Sequence, residues 1–340
     1  MHRIFFPKLK LNNNLVVISW FKAFNIFLQI LFFSKIQFVK IFVGPFCDLE
    51  SAFSLKLFFN NIGCSNITYY TNLYYNVDFR SSFLLNNSLI NLENLFFIIL
   101  IGTNLRMELP LLNSRIRKSW INSNYSLVIY SFGLSLDYLT FPVLNINNNV
   151  FSLFQFFQNK HNLCLKIFKN KANYLNLLLI NYPYFFIGLS ILNRIDSNSF
   201  CFALQNYVNN FLLKLSTISV VSPFLGRLSS LEFNLNKKIK KSYKNTFIYL
   251  SNVFDHKFLN LNLLESDSNF IVFSGSFKDH FFFNSNLIFP IPIFTETVST
   301  YLNIEGRLRG TQVAISLKNQ LYNEYQIFRY LYVLSNLKYY

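Results

Sequence analysis

The chain has 340 residues, long enough for about two domains with a sizeable core, and 43 Phe and 20 Tyr stand against only 9 Gly and 8 Pro. A formal net charge of +16 admits nucleic acid or an anionic membrane surface as a partner. Four widely spaced cysteines (Cys47, Cys64, Cys164, Cys201) form no C-x-x-C pair, which argues against a disulfide framework and against a zinc or iron–sulfur site built by this chain alone.

Phe, Leu, Ile, Asn, Lys and Tyr have codons that can be almost wholly A and T, whereas Gly, Pro and Ala need G and C. The composition therefore points to a strongly AT-biased gene, commonest in organelle genomes, and hydropathy overstates membrane character. "MHRIFFPKLK" leads straight into patterned sequence with neither a signal peptide nor an Arg- and Ser-rich leader, so a protein made in the organelle where it works is expected.

From Phe24 to Val43 the sequence is apolar but carries Gln29, Lys35, Gln37 and Lys40, which would be costly in lipid. The run Leu175 to Leu192 is broken by Asn181 and Pro183, and no transmembrane segment is expected. After "GPF" (44–46), Asp48 can cap a helix with Leu49, Ala52, Phe53 and Leu57 on one face and Gly63 closing it. Leu95 to Ile101 is a continuous apolar run ending in "GTN", the pattern of a strand covered on both faces. Pro110 suits the first turn of a helix that turns Leu112, Ile116 and Trp120 inward and Arg115, Arg117 and Lys118 to water or to a subunit interface. With "SLVIYSFG" (126–133), residues 95–133 form a βαβ unit.

Tyr184 to Leu189 is a further strand, and Asp196 can cap a helix with Phe200, Leu204, Val208, Phe211 and Leu215 on one side. "TISVVS" (217–222), "NTFIYLS" (245–251) and "NFIVFSG" (269–275) are three more buried strands. Between them, "NKKIKKSYKN" (236–245) is the densest basic run, a solvated loop or a phosphate-binding patch. The alternation predicts an α/β fold of doubly wound, mostly parallel sheets in two lobes, 1–150 and 151–340, with a terminal loop block at 289–310. Ligands of such sheets sit at the carboxyl ends of strands, which puts "GTN" (102–104) and "GSFKD" (275–279) beside any site.

Catalytic signatures are missing: no G-x-G-x-x-G, Walker loop, G-x-S-x-G or H-E-x-x-H occurs, and His2, His161, His256 and His280 are scattered. Glu296, in "FTET", has no partner carboxylate at a recognisable spacing and reads as a capping or salt-bridge residue. Asn104 stands where the next helix starts and reads first as its cap.

"DFRSSFLLN" (78–86), "LIGTNLRMELPLLNSRIRKSW" (100–120), "FFIGLSILNRID" (185–196) and "FPIPIFTETVSTYLNIEGRLRG" (289–310) together resemble the C-terminal part of the largest iron–sulfur subunit of respiratory complex I, itself similar to the molybdopterin oxidoreductases. "VVISWFKAF" (16–24) resembles the segment by which that family enters this domain, whereas 140–175 contributes almost nothing. The resemblance implies a non-catalytic, structural domain in the matrix-facing peripheral arm of mitochondrial complex I, on the inner membrane. It implies no cofactor in this chain, with the iron–sulfur clusters carried by the N-terminal half on a separate polypeptide and other peripheral-arm subunits as neighbours. Asn104, Asn303 and Arg307 would then line a vestigial cofactor cleft. Arg115, Arg117, Glu296, Glu305 and Gly306 would serve structure or interfaces, with Gly306 permitting a positive φ and Glu305 and Arg307 satisfying backbone groups or pairing with charges. The rival expectations are a molybdopterin-dependent oxidoreductase and a basic organellar nucleic-acid-binding or ribosomal protein.

Overall fold

The computed structural model describes residues 2–12, 14–69, 77–95, 97–123, 127–133, 141–147, 149–158, 184–210, 217–235, 246–251, 269–316 and 321–337. In chain order the elements are β1 (Lys8–Leu11), β2 (Asn14–Val17), α1 (Trp20–Phe33), β3 (Val39–Val43), α2 (Leu49–Asn61), β4 (Ile67–Tyr69), β5 (Phe97–Ile101), α3 (Leu105–Glu108), α4 (Pro110–Asn122), β6 (Val128–Phe132), β7 (Leu144–Asn147) and α5 (Val150–Phe157). There follow β8 (Tyr184–Ile187), α6 (Leu189–Leu192), α7 (Ser197–Asn210), β9 (Ile218–Val220), α8 (Leu225–Glu232), β10 (Phe247–Ser251), β11 (Phe270–Gly275), α9 (His280–Asn284), β12 (Leu287–Pro290), β13 (Thr300–Leu302), β14 (Leu308–Gly310) and α10 (Glu324–Leu337).

The chain forms two compact units, and neither matches the expected lobes at 1–150 and 151–340. Unit 1 takes residues 1–72, 224–303 and 307–340, and unit 2 takes 73–223 together with 304–306. The reason is strand pairing: β3 lies parallel to β10 with Val39 opposite Phe247 and Val43 opposite Ser251, so two distant stretches share one sheet.

In unit 1 the sheet order is β2-β1-β12-β11-β10-β3-β4. Five strands, from β12 to β4, run parallel, while β1 and β2 add an antiparallel hairpin beside β12. Both faces of the central strands are buried, which explains their continuous apolar reading. Helices α1, α2 and α10 cover one face through Phe27, Phe58, Phe59 and Phe328, and α9 supplies Phe281 and Phe282 to the other. The apolar stretch 24–43 is thus a helix followed by a strand. No helix of the described residues is long and apolar enough to cross a membrane.

The Asp48 carboxylate accepts the Ser51 N–H at 3.2 Å at the start of α2, and Gly63 past its end takes φ +82°. The buried face, however, is Ala52, Leu55, Phe58 and Phe59, and Phe53 and Leu57 are exposed. Large apolar residues occur all around this helix, so composition hid its inner face.

Unit 2 is a parallel sheet, β7-β6-β5-β8-β9, over a core that includes Leu92, Leu112, Ile116 and Phe186. Trp120 packs against that core, while Arg115 and Lys118 pair with Glu93 at 3.0 and 2.6 Å and Arg117 is exposed. Asp196 stands before α7, where its carbonyl accepts the Phe200 N–H and its carboxylate pairs with Arg194. Phe200, Leu204 and Val208 are buried as expected; Phe211, Leu215 and the basic run 236–245 lie outside the described residues.

Among the described residues, backbone fills the space at the carboxyl ends of β5 and β8. The Gly102 N–H donates to Phe132 and the Gly188 N–H to Ile101, each at 2.9 Å, and the Ser190 hydroxyl donates to the Gly102 carbonyl. Gly102 takes φ +59°, and a Cβ on Gly188 would collide with the Gly102 carbonyl and stand 2.7 Å from Thr103 Cβ. "GTN" is therefore packed under α6 instead of facing an open site.

Two outcomes follow from this packing. Gly188→Ala should lower the stability of unit 2 by about 3 kcal/mol, because the clash is with backbone that cannot turn away; urea unfolding read by hydrogen exchange in unit 2 measures it. In unit 1, Glu324 is buried at the start of α10 and accepts hydroxyl protons from Tyr249 and Ser251, both at 2.7 Å. Burial pushes its carboxyl up to about 7, from an ordinary 4.5. The folded chain holds that proton more tightly, so stability falls as pH rises from about 4.5 to 7, by roughly 3 kcal/mol. Glu324→Gln should flatten, but not abolish, that slope in melts across pH 4–8, since Asp48 and Asp279 are pushed the same way by burial, each to about 6.

Candidate functional site

The carboxyl ends of β3, β10 and β12 in unit 1 converge on a small polar cleft. Its walls come from the loop after β3 (Phe46, Asp48), the segment after β12 (Ile291, Pro292, Thr297), Tyr301 of β13 and the start of α10 (Asn323, Glu324). Half open to solvent, it has an inner volume of about 20 Å³, room for a water molecule and well below what a small-molecule site needs.

Three carboxylates meet around this edge of the sheet. Asp48 caps α2 and Glu324 is held by the hydroxyls on β10. Glu50, in the first turn of α2, accepts the Thr300 N–H with both oxygens at 3.1 Å and the Thr300 hydroxyl at 2.7 Å. Burial is the main cause that lifts Asp48 and Glu324, and it also pushes the Tyr301 phenol and the fully buried Cys47 thiol well above their ordinary values. Burial thus favours the thiol form of Cys47 over the thiolate. Among the described residues, the cleft lining has two carboxyl groups, several hydroxyls and no cationic side chain. Such a site can hold protons and accept donors; it repels anions.

The residues singled out from the sequence lie elsewhere. Asn303 and Arg307 share the β13–β14 turn, where the Arg307 N–H donates to Asn303 Oδ1 at 2.8 Å and the Asn303 N–H to the Arg307 carbonyl at 2.9 Å. The turn residues Ile304–Gly306 belong to unit 2. There the Glu305 carboxylate accepts the Leu89 N–H at 2.8 Å and the Ile304 carbonyl accepts the Leu85 N–H at 2.8 Å. Gly306 takes φ +75°, its carbonyl accepts from Arg80, and a Cβ would stand 2.8 Å from Leu84 Cδ1.

Asn104 is in unit 2 at the N-cap position of α3, but the carboxylate that serves this turn is Glu108, which accepts the Asn104 N–H at 3.2 Å and the Thr103 hydroxyl at 3.0 Å. Glu296 accepts the Ile293 N–H at 2.9 Å and pairs with Arg3. Sequence reasoning missed Glu324 and Tyr249. A signal was available, since carboxylates are scarce in this chain and Glu324 opens an amphipathic run.

Residues 3–333 match the family described as molybdopterin oxidoreductase. The chain is 30% identical to the NADH-ubiquinone oxidoreductase 75 kDa subunit of Reclinomonas americana, over 98% of this chain and 49% of that protein. It is 26% identical to the mitochondrial NADH-ubiquinone oxidoreductase 78 kDa subunit of Candida albicans, over 88% of this chain and 40% of that one. It thus spans about half or less of the length of these relatives. Among solved structures, a chain of the formyltransferase/hydrolase complex of Methylorubrum extorquens superposes with a TM-score of 0.62 at 10% identity, covering 98% of this chain and 99% of that one, a likeness of fold.

A molybdenum–pterin group, which the family's name implies, finds poor partners in this cleft. The cleft's carboxyl groups oppose phosphate and enedithiolate charge, and its lining among the described residues includes no cysteine. No cluster of three His, Cys, Asp or Glu among the described residues has metal-holding geometry. The sequence match along nearly the whole chain and the mostly parallel α/β architecture agree: the chain belongs to the molybdopterin oxidoreductase family.

Proposed function

We propose that this chain is the C-terminal, non-catalytic domain of the largest iron–sulfur subunit of mitochondrial complex I, working in the peripheral arm on the matrix side of the inner membrane. The observation that carries the reading is the alignment of 98% of the chain with half of an NADH-ubiquinone oxidoreductase 75 kDa subunit. Among the described residues the cleft is lined by carboxyl groups and has no cationic side chain, which supports the absence of a pterin-phosphate role, because phosphate charge would not be stabilised there. In this reading the iron–sulfur clusters sit on the N-terminal half, carried by a separate polypeptide, and the gene is in the organelle genome. The domain's contribution is to cover and position that half. Excluding water from a cluster lowers the local dielectric and tunes its potential, an influence exerted through packing.

The test is native electrophoresis of detergent-solubilised organelle membranes, stained for NADH dehydrogenase activity, with peptide mass spectrometry and metal analysis of each band. Peptides of this chain are expected in the large active band, with a Cys-rich partner and without molybdenum. Finding them only in a ribosomal fraction, or with stoichiometric molybdenum, would falsify the reading. Glu305→Ala leaves the Leu89 N–H without its acceptor at a cost of about 1–3 kcal/mol. It should reduce the amount of assembled complex several-fold while turnover per assembled complex stays within about 20% of normal; normal assembly with lost turnover would contradict a structural role.

A further inference from the structure

The first hairpin carries a surface that the cleft does not use. Strand β2 ends the seven-stranded sheet, and among the described residues no strand pairs with its outer edge. Proteins ordinarily guard such an edge with charge, proline, a bulge or a covering element. β2 reads Asn-Leu-Val-Val and has no charge or proline of its own. Val16 and Val17, whose side chains point to opposite faces, are 44% and 54% exposed, and Leu11 across the hairpin is 50% exposed. Phe6 and Phe21, which flank the hairpin in sequence, are exposed as well.

Charge here is one-sided. Asp48 is the first carboxylate in the sequence, so residues 1–47 carry Arg3, Lys8, Lys10, Lys22, Lys35 and Lys40 and no acid. Lys8 lies opposite Val17 and Lys10 opposite Leu15, which sets both lysines one strand in from the edge on a single face.

We propose that β2 is a docking edge for an extended segment of another polypeptide, apolar at alternate positions and bearing Asp or Glu on the face of Lys8 and Lys10, which adds a strand to the sheet. Each property of the edge narrows the occupant. An unpaired ladder takes an extended chain, Val16 accepts apolar side chains on the face away from the lysines, and the lysines select carboxylates on their own face, which Val17 shares. An anionic lipid surface satisfies the charge and the apolar contact but leaves the β2 backbone groups unpaired in an apolar medium. A second copy pairing through the same edge brings lysines against lysines, since its own hairpin has no acid. The inference does not depend on which complex the chain joins.

Hydrogen exchange of residues 11–18, compared between the full chain alone and the same chain in its native assembly, tests it, together with carbodiimide coupling of amines directly to carboxylates. The amides of β2 should exchange about tenfold more slowly in the assembly, and Lys8 or Lys10 should couple to Asp or Glu within one extended segment of a different polypeptide. Equal exchange in both states overturns the proposal. So does coupling confined to copies of this chain, or equal protection by anionic phospholipid vesicles alone. Val17→Glu, which sets an acid on the face of Lys8 and Lys10 against the carboxylates of the docking segment, should keep the circular dichroism spectrum and melting temperature of the isolated chain while losing the assembly-dependent protection; retained protection also overturns it. Protection of the edge in an assembly without NADH dehydrogenase activity would instead remove the proposed function and leave this inference standing.

Discussion

The parallel pairing of β3 with β10 is the constraint on which the rest of the architecture depends. A parallel pair needs a crossover, and here some two hundred residues separate Val39 from its partner Phe247. Unit 2 is built from the chain spent between them, which is why the division between units cannot be drawn at a single point in the sequence. The same pairing lays Ser251 beside Val43 at the carboxyl edge, and thereby sets the hydroxyls of β10 below the start of α10. Glu324 then joins helix to sheet: both its oxygens are used by β10, and its burial makes that joint sensitive to protonation.

The two sheets treat their carboxyl ends in opposite ways. In unit 2, Gly102, Gly133 and Gly188 bring strand ends and the α6 turn so close that the gap is filled by main chain. In unit 1, the ends open on a cleft lined by carboxyl and hydroxyl groups. An open α/β sheet offers ligands its carboxyl edge, so these are the two places where a cofactor site would be sought. Among the described residues, one is filled by main chain and the other is small and lined by carboxyl and hydroxyl groups.

Much of the fold was legible in the sequence because buried parallel strands leave a strong mark. "LFFIILIG", "NTFIYLS" and "NFIVFSG" each became a central strand, and Asp48, Gly63 and Pro110 marked helix ends by their own backbone chemistry. The inner face of α2 was not legible, since Phe53 and Leu57 are as apolar as the residues actually buried. The short strands β1, β2, β13 and β14 have too few residues for a period to show. The cleft was hidden for a further reason: Asp48, Tyr249 and Glu324 meet only through strand pairing and helix docking, neither of which has a local signature.

Scarce carboxylates explain the polar architecture of the chain. There are 15 Asp and Glu against 31 Lys and Arg, in a composition pushed toward residues with AT-rich codons. Among the described residues, Asp48, Glu50, Glu296, Glu305 and Asp279 each accept a main-chain N–H, and Glu324 holds two buried hydroxyls. A lysine in any of these places would bring a donor to a donor and leave a partly buried group unpaired, at a cost of about 1–3 kcal/mol each. These six acids hold places the fold cannot hand over to the amino acids its composition favours. The net charge of +16 is then what is left on the surface once that requirement is met, and it reaches its most one-sided form along residues 1–47, where no main-chain amide is held by a carboxylate of its own segment.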